Sequence, residues 1–266
     1  MTTFTIPKSW PNKELRVLLI GCGGTGSEFL DELFRMDKTL RALGGNGLIV
    51  TAVDGDEVSP FNLLRQRFFP CDIGHNKAQT LIDRYRPHGA NRWKYLDHYL
   101  DLSIASDQYF IRGVDLVITA VDSAKFRAQF GAYVSTSEEF SDESLWLDCG
   151  NGSSDGQVIL GHLSPSVENR LPHVYDLYGS HLEQLAVTAT NEPSCSHEAA
   201  IASQDYGVNR SASRYAAALL WQILRHGSID HHGVYFDMAF GESTPLAIDP
   251  AVWAAYGYAP DQAVKS

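Results

Sequence analysis

The chain has 266 residues, 44% hydrophobic and 20% charged, which supplies the core of one large α/β domain and excludes a disordered polypeptide. Its formal charge is −11, from 21 Lys and Arg against 32 Asp and Glu, and this weighs against nucleic acid or an anionic membrane surface as a partner. Cys22, Cys71, Cys149 and Cys195 form no C-x-x-C pair, so neither a disulfide scaffold nor a four-thiolate zinc site has support. The segment Met1–Asn12 is polar and interrupted by Pro7 and Pro11, without the apolar run of a signal peptide or a membrane span, and a cytoplasmic setting is expected.

The first half alternates strand and helix. Residues 16–20 are a short apolar run ending at Gly21, suited to a strand buried on both faces of a parallel sheet. Helical spacing follows from Thr25 to Leu43, with Phe29, Leu30, Leu33, Phe34 and Leu40 on its apolar side, and stops at Gly44-Gly45-Asn46-Gly47. Residues 48–53 form the second strand, with Asp54 at its C-terminal end. A polar connection leads to a helix over 75–85, ended by Pro87. Residues 93–99 alternate weakly, as a strand does. Residues 115–121 are a buried strand with Asp122 at its end, followed by a helix over 123–134 and a strand over 145–148.

After a turn-rich stretch at 150–156, residues 157–163 read as an antiparallel strand. Residues 164–196, with Pro165, Pro172 and Pro193, read as a long crossing loop with some local helix. A helix over 206–225 and late strands over 233–240 and 245–248 complete the pattern. The sum is an α/β fold, a Rossmann-like doubly wound and mostly parallel sheet with a mixed C-terminal extension. One domain is expected over 15–258, after an N-terminal extension of 1–14 and before a loose tail of 259–266.

The chemistry begins at Gly21-Cys-Gly-Gly-Thr-Gly26, between a strand and a helix. Gly21 permits the tight turn, Gly23 and Gly24 let a phosphate approach the backbone, and Gly26 lets the helix pack closely. Asp54 stands at the distance expected of a carboxylate that binds ribose hydroxyls. The connection after it carries Asn62, Arg65 and Lys77, hydrogen-bond donors beyond the C-terminal edge of a strand, where ligands bind in such sheets. Two cations beside a glycine loop suit a triphosphate, and Asp122 reaches the same crevice, where it would hold a magnesium ion. Each residue also has a plainer reading: Arg65 and Arg67 as a solvated loop face, Lys77 as an outward side chain, Asp122 as a helix cap. A nicotinamide-dependent oxidoreductase would use the glycine loop and Asp54, but leaves Arg65 and Lys77 without a task.

Gly21–Gly26, Asp54, the run Phe61-Asn-Leu-Leu-Arg-Gln66, Lys77 in Gly-x-x-Lys, and Val121-Asp122 followed by Arg127 resemble the ThiF/MoeB/HesA family. That family includes the adenylating domain of ubiquitin-activating enzymes. The resemblance covers roughly residues 15–225, and within the family the chain is similar to the ThiF-like members of bacterial PRTRC cassettes. It implies ATP-dependent adenylation of a carboxylate, usually the C-terminal glycine of a small ubiquitin-like or sulfur-carrier protein. It also implies roles: Asp54 on the ribose, Asn62, Arg65 and Lys77 on the phosphates, Asp122 on magnesium, and Gln66 as support for the loop.

In the same pattern Cys195, in Pro193-Ser-Cys195, forms a covalent link to the carrier in some members, with His197 nearby. Cys22 reads as a small packing residue. The chain departs from the family in lacking paired C-x-x-C zinc motifs. It also lacks, before Arg16, the arginine-rich stretch that reaches into the neighbour's site in dimeric relatives. A homodimer is the family's usual assembly. Three alternatives stay open at this level: a tRNA or small-molecule acceptor, a non-catalytic nucleotide-binding partner of the cassette, and the oxidoreductase.

Overall fold

The computed structural model describes residues 3–189 and 204–259. Its centre is an eight-stranded sheet. Strands β2 (Leu15–Ile20), β3 (Leu48–Val53), β4 (Lys94–Leu96), β5 (Leu116–Thr119) and β6 (Leu145–Asn151) run parallel in the order β4-β3-β2-β5-β6. Antiparallel β7 (Asp155–His162), β9 (His231–Asp237) and β10 (Glu242–Ala247) extend the sheet beyond β6. The doubly wound, mostly parallel sheet with a mixed C-terminal extension is therefore present as expected.

The central strands are the ones with unbroken apolar runs. Val17 lies level with Val50 on one side and Leu116 on the other, and all three are buried. Such strands carry helices on both faces. Helix α1 (Gly24–Ala42) packs against α2 (Lys77–Tyr85) and α6 (Val208–His226), and α4 (Ala124–Thr136) packs against α5 (Val174–Ala189). The chain steps one way from β2 to β3 and the other way from β5 to β6, so right-handed crossovers put α1 and α4 on opposite faces. The strand order reverses at β2, between its neighbours β3 and β5.

Several elements differ from expectation. The local helix expected in the crossing loop is longer than a short turn: α5 has 16 residues, with a break at Tyr178 (φ −132°, ψ 16°). It is held by Leu171, Val174, Leu177 and Leu182, all buried, and by Gly131 of α4, where a Cβ would sit 2.2 Å from the Tyr175 ring. Helix α3 (Ala105–Arg112) and the short α7 (Pro250–Ala254) are additional. The turn-rich stretch is largely paired strand: Gly150 opposes Gln157 and Asn151 opposes Gly156, leaving a tight connection at 152–154.

The weak strand at 93–99 shortens to Lys94–Leu96, and Trp93 just before it is buried, its Nε1–H donating to the Leu48 carbonyl at 3.2 Å. The N-terminal segment is tied down, with β1 (Phe4–Thr5) pairing antiparallel with β8 (Ser228–Ile229). Residues 260–266 of the expected tail lie outside the described residues. Among the described residues no helix is long and apolar enough to cross a membrane.

Candidate nucleotide-binding cleft

The C-terminal ends of β2, β3, β5 and β6 open onto a cleft of about 680 Å³, lined by residues of all four strand ends and of α4 and α6. That volume lies within the roughly 300–1,000 Å³ of small-molecule sites. The cleft stands where the strand order reverses, the usual ligand position in such sheets.

The glycine loop forms one wall. Gly21 has φ +93°, and a Cβ there would lie 2.7 Å from the Ala120 carbonyl oxygen of the neighbouring strand end. A Cβ on Gly26 would lie 1.8 Å from the Gly21 oxygen, so only glycine lets α1 start this close to β2. At Gly23 the nearest atom to an added Cβ is Gln66 Nε2 at 4.0 Å, and its backbone faces open space. Gly24 departs from expectation. The space over it holds the Asn209 amide of α6, 2.5 Å from where a Cβ would be, so of the two middle glycines Gly23 is the open one. Thr25 Oγ1 lies 3.0 Å from Asn151 Oδ1 and 3.1 Å from Asn209 Oδ1, joining α1, β6 and α6. The first N–H groups of α1 lack carbonyl partners within the helix and carry its positive end.

Asp54 follows β3. Its Oδ2 accepts the Cys22 N–H at 2.6 Å and its Oδ1 accepts the Asp56 N–H at 2.9 Å. Burial raises its pKa above the usual carboxylate value, opposed by those two backbone donors and by the Lys77 charge. Asn76 caps α2 through Oδ1, which accepts the Gln79 N–H at 2.9 Å, while its Nδ2 donates to the Asp54 carbonyl at 2.8 Å. The cap therefore fixes both the loop after Asp54 and the start of the helix that carries Lys77.

Lys77 does not point outward: it is buried at the first position of α2, and its Nζ donates to Asp56 Oδ2 at 2.8 Å. Asn62 is buried in a 3-10 turn, Pro60–Leu64, where its Oδ1 accepts the Ser59 N–H at 2.8 Å. Arg65 and Gln66 follow that turn and line the cleft. Gln66 Oε1 is buried without a hydrogen-bond partner among the described residues. Arg67 is bound elsewhere, with Nη1 at 3.2 Å from Glu28 and 3.1 Å from Asp31 on α1.

Asp122 is exposed at the mouth, between β5 and α4. It is not the helix cap. Ser123 takes that position, its Oγ accepting the Phe126 N–H at 3.2 Å. At the floor, Arg127 Nε donates to Asp148 Oδ1 at 3.0 Å and a second guanidinium nitrogen donates to Asp148 Oδ2. Thr119 Oγ1 donates to the same carboxylate at 2.6 Å. Cys22 and Cys149 are buried, and burial pushes both thiols up, away from the reactive thiolate. Cys195 and His197 lie outside the described residues.

The structure thus brings Gly21, Gly23, Gly24, Asp54, Asn62, Arg65, Gln66, Lys77 and Asp122 to one cleft, with Gly26 packed just behind it. Sequence reading missed Asp56, Tyr99, Asn151 and Asn209, which line the same space. Asp56 alone had a local signal, as the second acid of Asp54-Gly-Asp56. Among the described residues no group of three His, Cys, Asp or Glu side chains is arranged to hold a metal ion.

Comparison with known proteins agrees with this architecture. The ThiF family model matches residues 12–140, just under half of the chain and the part that forms the glycine loop, the Asp54 connection and Asp122. No curated protein sequence matches. Among solved structures, E. coli MccB with ATP superposes with a TM-score of 0.58 at 15% identity, covering 91% of this chain and 65% of that one. E. coli MccB with AMPCPP and MccA gives 0.60 at 14% identity, covering 88% and 64%. PaaA gives 0.62 at 14% identity, covering 88% and 73%. The chain shares the fold of these structures, and it spans slightly less than two thirds of the length of the MccB chains.

Proposed function

We propose that the chain is an ATP-dependent enzyme that activates a carboxylate by adenylation. One observation carries this reading. In a fold shared with ATP-bound MccB, Asp54, Asn62, Arg65, Lys77 and Asp122 converge on one cleft beside the open N-terminus of α1. In the reaction the carboxylate oxygen attacks the α-phosphorus of ATP, the bond to the bridging oxygen breaks, and pyrophosphate leaves. The attacking group is already ionised at neutral pH, so no general base is needed. Catalysis is then positioning and neutralisation of charge on phosphorus and on the leaving pyrophosphate.

Asp54 would hold the ribose hydroxyls, with its two backbone donors fixing the carboxylate. The N–H groups at Gly23 and the first turn of α1 would receive a phosphate. Arg65 and Lys77 would neutralise the triphosphate, Asn62 would donate a hydrogen bond to it, and Gln66 would support their loop. For Lys77 this requires its ammonium to be shared between Asp56 and the phosphates, which a half-exposed Asp56 permits.

A single exposed carboxylate at the mouth suits magnesium, which keeps waters and phosphate oxygens and needs only one or two protein carboxylates. Asp122 would hold it, and the ion would supply further charge neutralisation. The acceptor we favour is the C-terminal glycine of a small ubiquitin-like carrier protein, in a PRTRC-type cassette and a cytoplasmic setting, by a homodimeric enzyme. The ordered motif set supports the carrier and the cassette, the polar N-terminal segment the setting, and the family's usual assembly the homodimer. A later covalent step would use Cys195.

The test is ATP–pyrophosphate exchange with the purified chain and candidate carrier proteins. Exchange should depend on the carrier, vanish in Lys77→Ala and Asp122→Ala, and persist in Cys195→Ala. Full exchange in Asp122→Ala would overturn the magnesium assignment. ATP retained unchanged with every carrier would favour a non-catalytic nucleotide-binding partner.

A further inference from the structure

Tyr99 lines the cleft beside Asp54, Asp56 and Leu100, and none of the roles above uses it. It is 67% exposed, yet it is held at both ends. Its hydroxyl donates to Asp56 Oδ1. Its ring lies over the bare Cα of Gly55, where an added Cβ would sit 2.8 to 2.9 Å from three ring carbons. Asp56 is itself fixed: its carbonyl accepts the Lys77 N–H at 2.9 Å and Asn76 Nδ2 at 3.2 Å, and its Oδ2 holds Lys77 Nζ at 2.8 Å. One carboxylate therefore sets the position of both the ammonium and the aromatic ring.

The placement has a direction. The start of α1 is the anion end of the cleft and Asp54 the ribose end. A nucleotide laid across them continues past Asp54 towards β4, which ends at Leu96. Tyr99 stands on the segment that leaves β4. Phe61, an exposed ring that also lines the cleft, belongs to the turn that carries Asn62 and so to the phosphate side.

We propose that Tyr99 is the base-holding residue of this cleft, and that the purine of the nucleotide stacks on the ring that Gly55 and Asp56 fix in place. The proposal rests on the nucleotide reading above. Stacking on an aromatic face tolerates any base, so the residue supplies affinity and orientation and does not choose between adenine and guanine.

The experiment is calorimetric titration of the full-length protein with ATP and magnesium, using Tyr99→Phe, Tyr99→Leu and Tyr99→Ala, each first shown to melt at the temperature of the unaltered chain. Tyr99→Ala and Tyr99→Leu should weaken ATP binding by about 10- to 100-fold, the range for loss of one stacked base. Tyr99→Phe, which keeps the ring and loses the bond to Asp56, should bind within about 3-fold of the unaltered protein. Unchanged affinity in Tyr99→Ala would overturn the proposal. So would a loss in Tyr99→Phe equal to that in Tyr99→Ala, since the hydroxyl and not the ring would then matter. Failure of the unaltered chain to bind ATP would instead overturn the nucleotide reading on which the proposal stands.

Discussion

At Gly26 the chain has no room for any side chain. A Cβ would lie 1.8 Å from the Gly21 carbonyl oxygen, and both partners are backbone, so neither can move aside alone. Gly26→Ala should lower stability by about 3 kcal/mol, the upper part of the range for overpacking, and should weaken nucleotide binding by lifting α1 from the strand end. Urea unfolding measures the first effect, and an unchanged midpoint would show that the contact relaxes freely. At this scale the local motifs were legible: the glycine loop and Asp54 occupy the positions that their spacing implies. Lys77 was legible as a cleft residue but not as a partner of Asp56, because that pair depends on the loop fold made by Asn76. Asn151 and Asn209 come from distant strand and helix ends, and nothing near them in sequence marks them as parts of one site.

Among the elements, α4 joins the mouth of the cleft to its floor. Arg127 lies one turn into α4 and binds Asp148 of β6, with side-chain exposures of 10% and 1%. Removing one partner leaves a buried, uncompensated charge. Arg127→Ala should therefore cost about 3–5 kcal/mol, and Arg127→Lys should recover only part of it because a lysine cannot make the two-pronged contact. Thermal melts of the two variants check this, and a Lys variant as stable as the parent would contradict it. The parallel strands were the most legible elements, since burial on both faces makes them unbroken apolar runs. Helix α5 was not, because its partners are Gly131 and buried residues elsewhere in the chain, and the flanking Pro165 and Pro172 suggested a loop. Helix α3 offers only eight residues, of which Asp107 and Ile111 are buried, too little for a clear period.

For the molecule as a whole, three buried histidines contribute to the response to acid. His162, His173 and His232 are each lowered by burial from the usual 6.5 to about 4. Each also uses a ring lone pair. His162 Nδ1 accepts the Leu171 N–H, His173 Nδ1 accepts the Asp176 N–H, and His232 Nε2 accepts the Trp253 Nε1–H at 2.8 Å. The folded protein keeps them neutral down to about pH 4, whereas the unfolded chain protonates them near 6.5. Unfolding therefore takes up protons between those values. Stability is full above about pH 6.5 and falls as the pH drops towards 4. Urea midpoints at pH 7.5 and 5 should show the loss, and equal midpoints would contradict it. The fold class was readable from alternating strands and helices, whereas the covering of the antiparallel half depends on long-range packing.

The central claim is that the cleft is an ATP site. Calorimetric titration of the purified protein with ATP plus magnesium, and separately with NAD, tests it most directly. Saturable binding of ATP that is lost in Lys77→Ala, with no binding of NAD, is the predicted result. Binding of NAD without ATP would contradict the account and make the cleft that of an oxidoreductase.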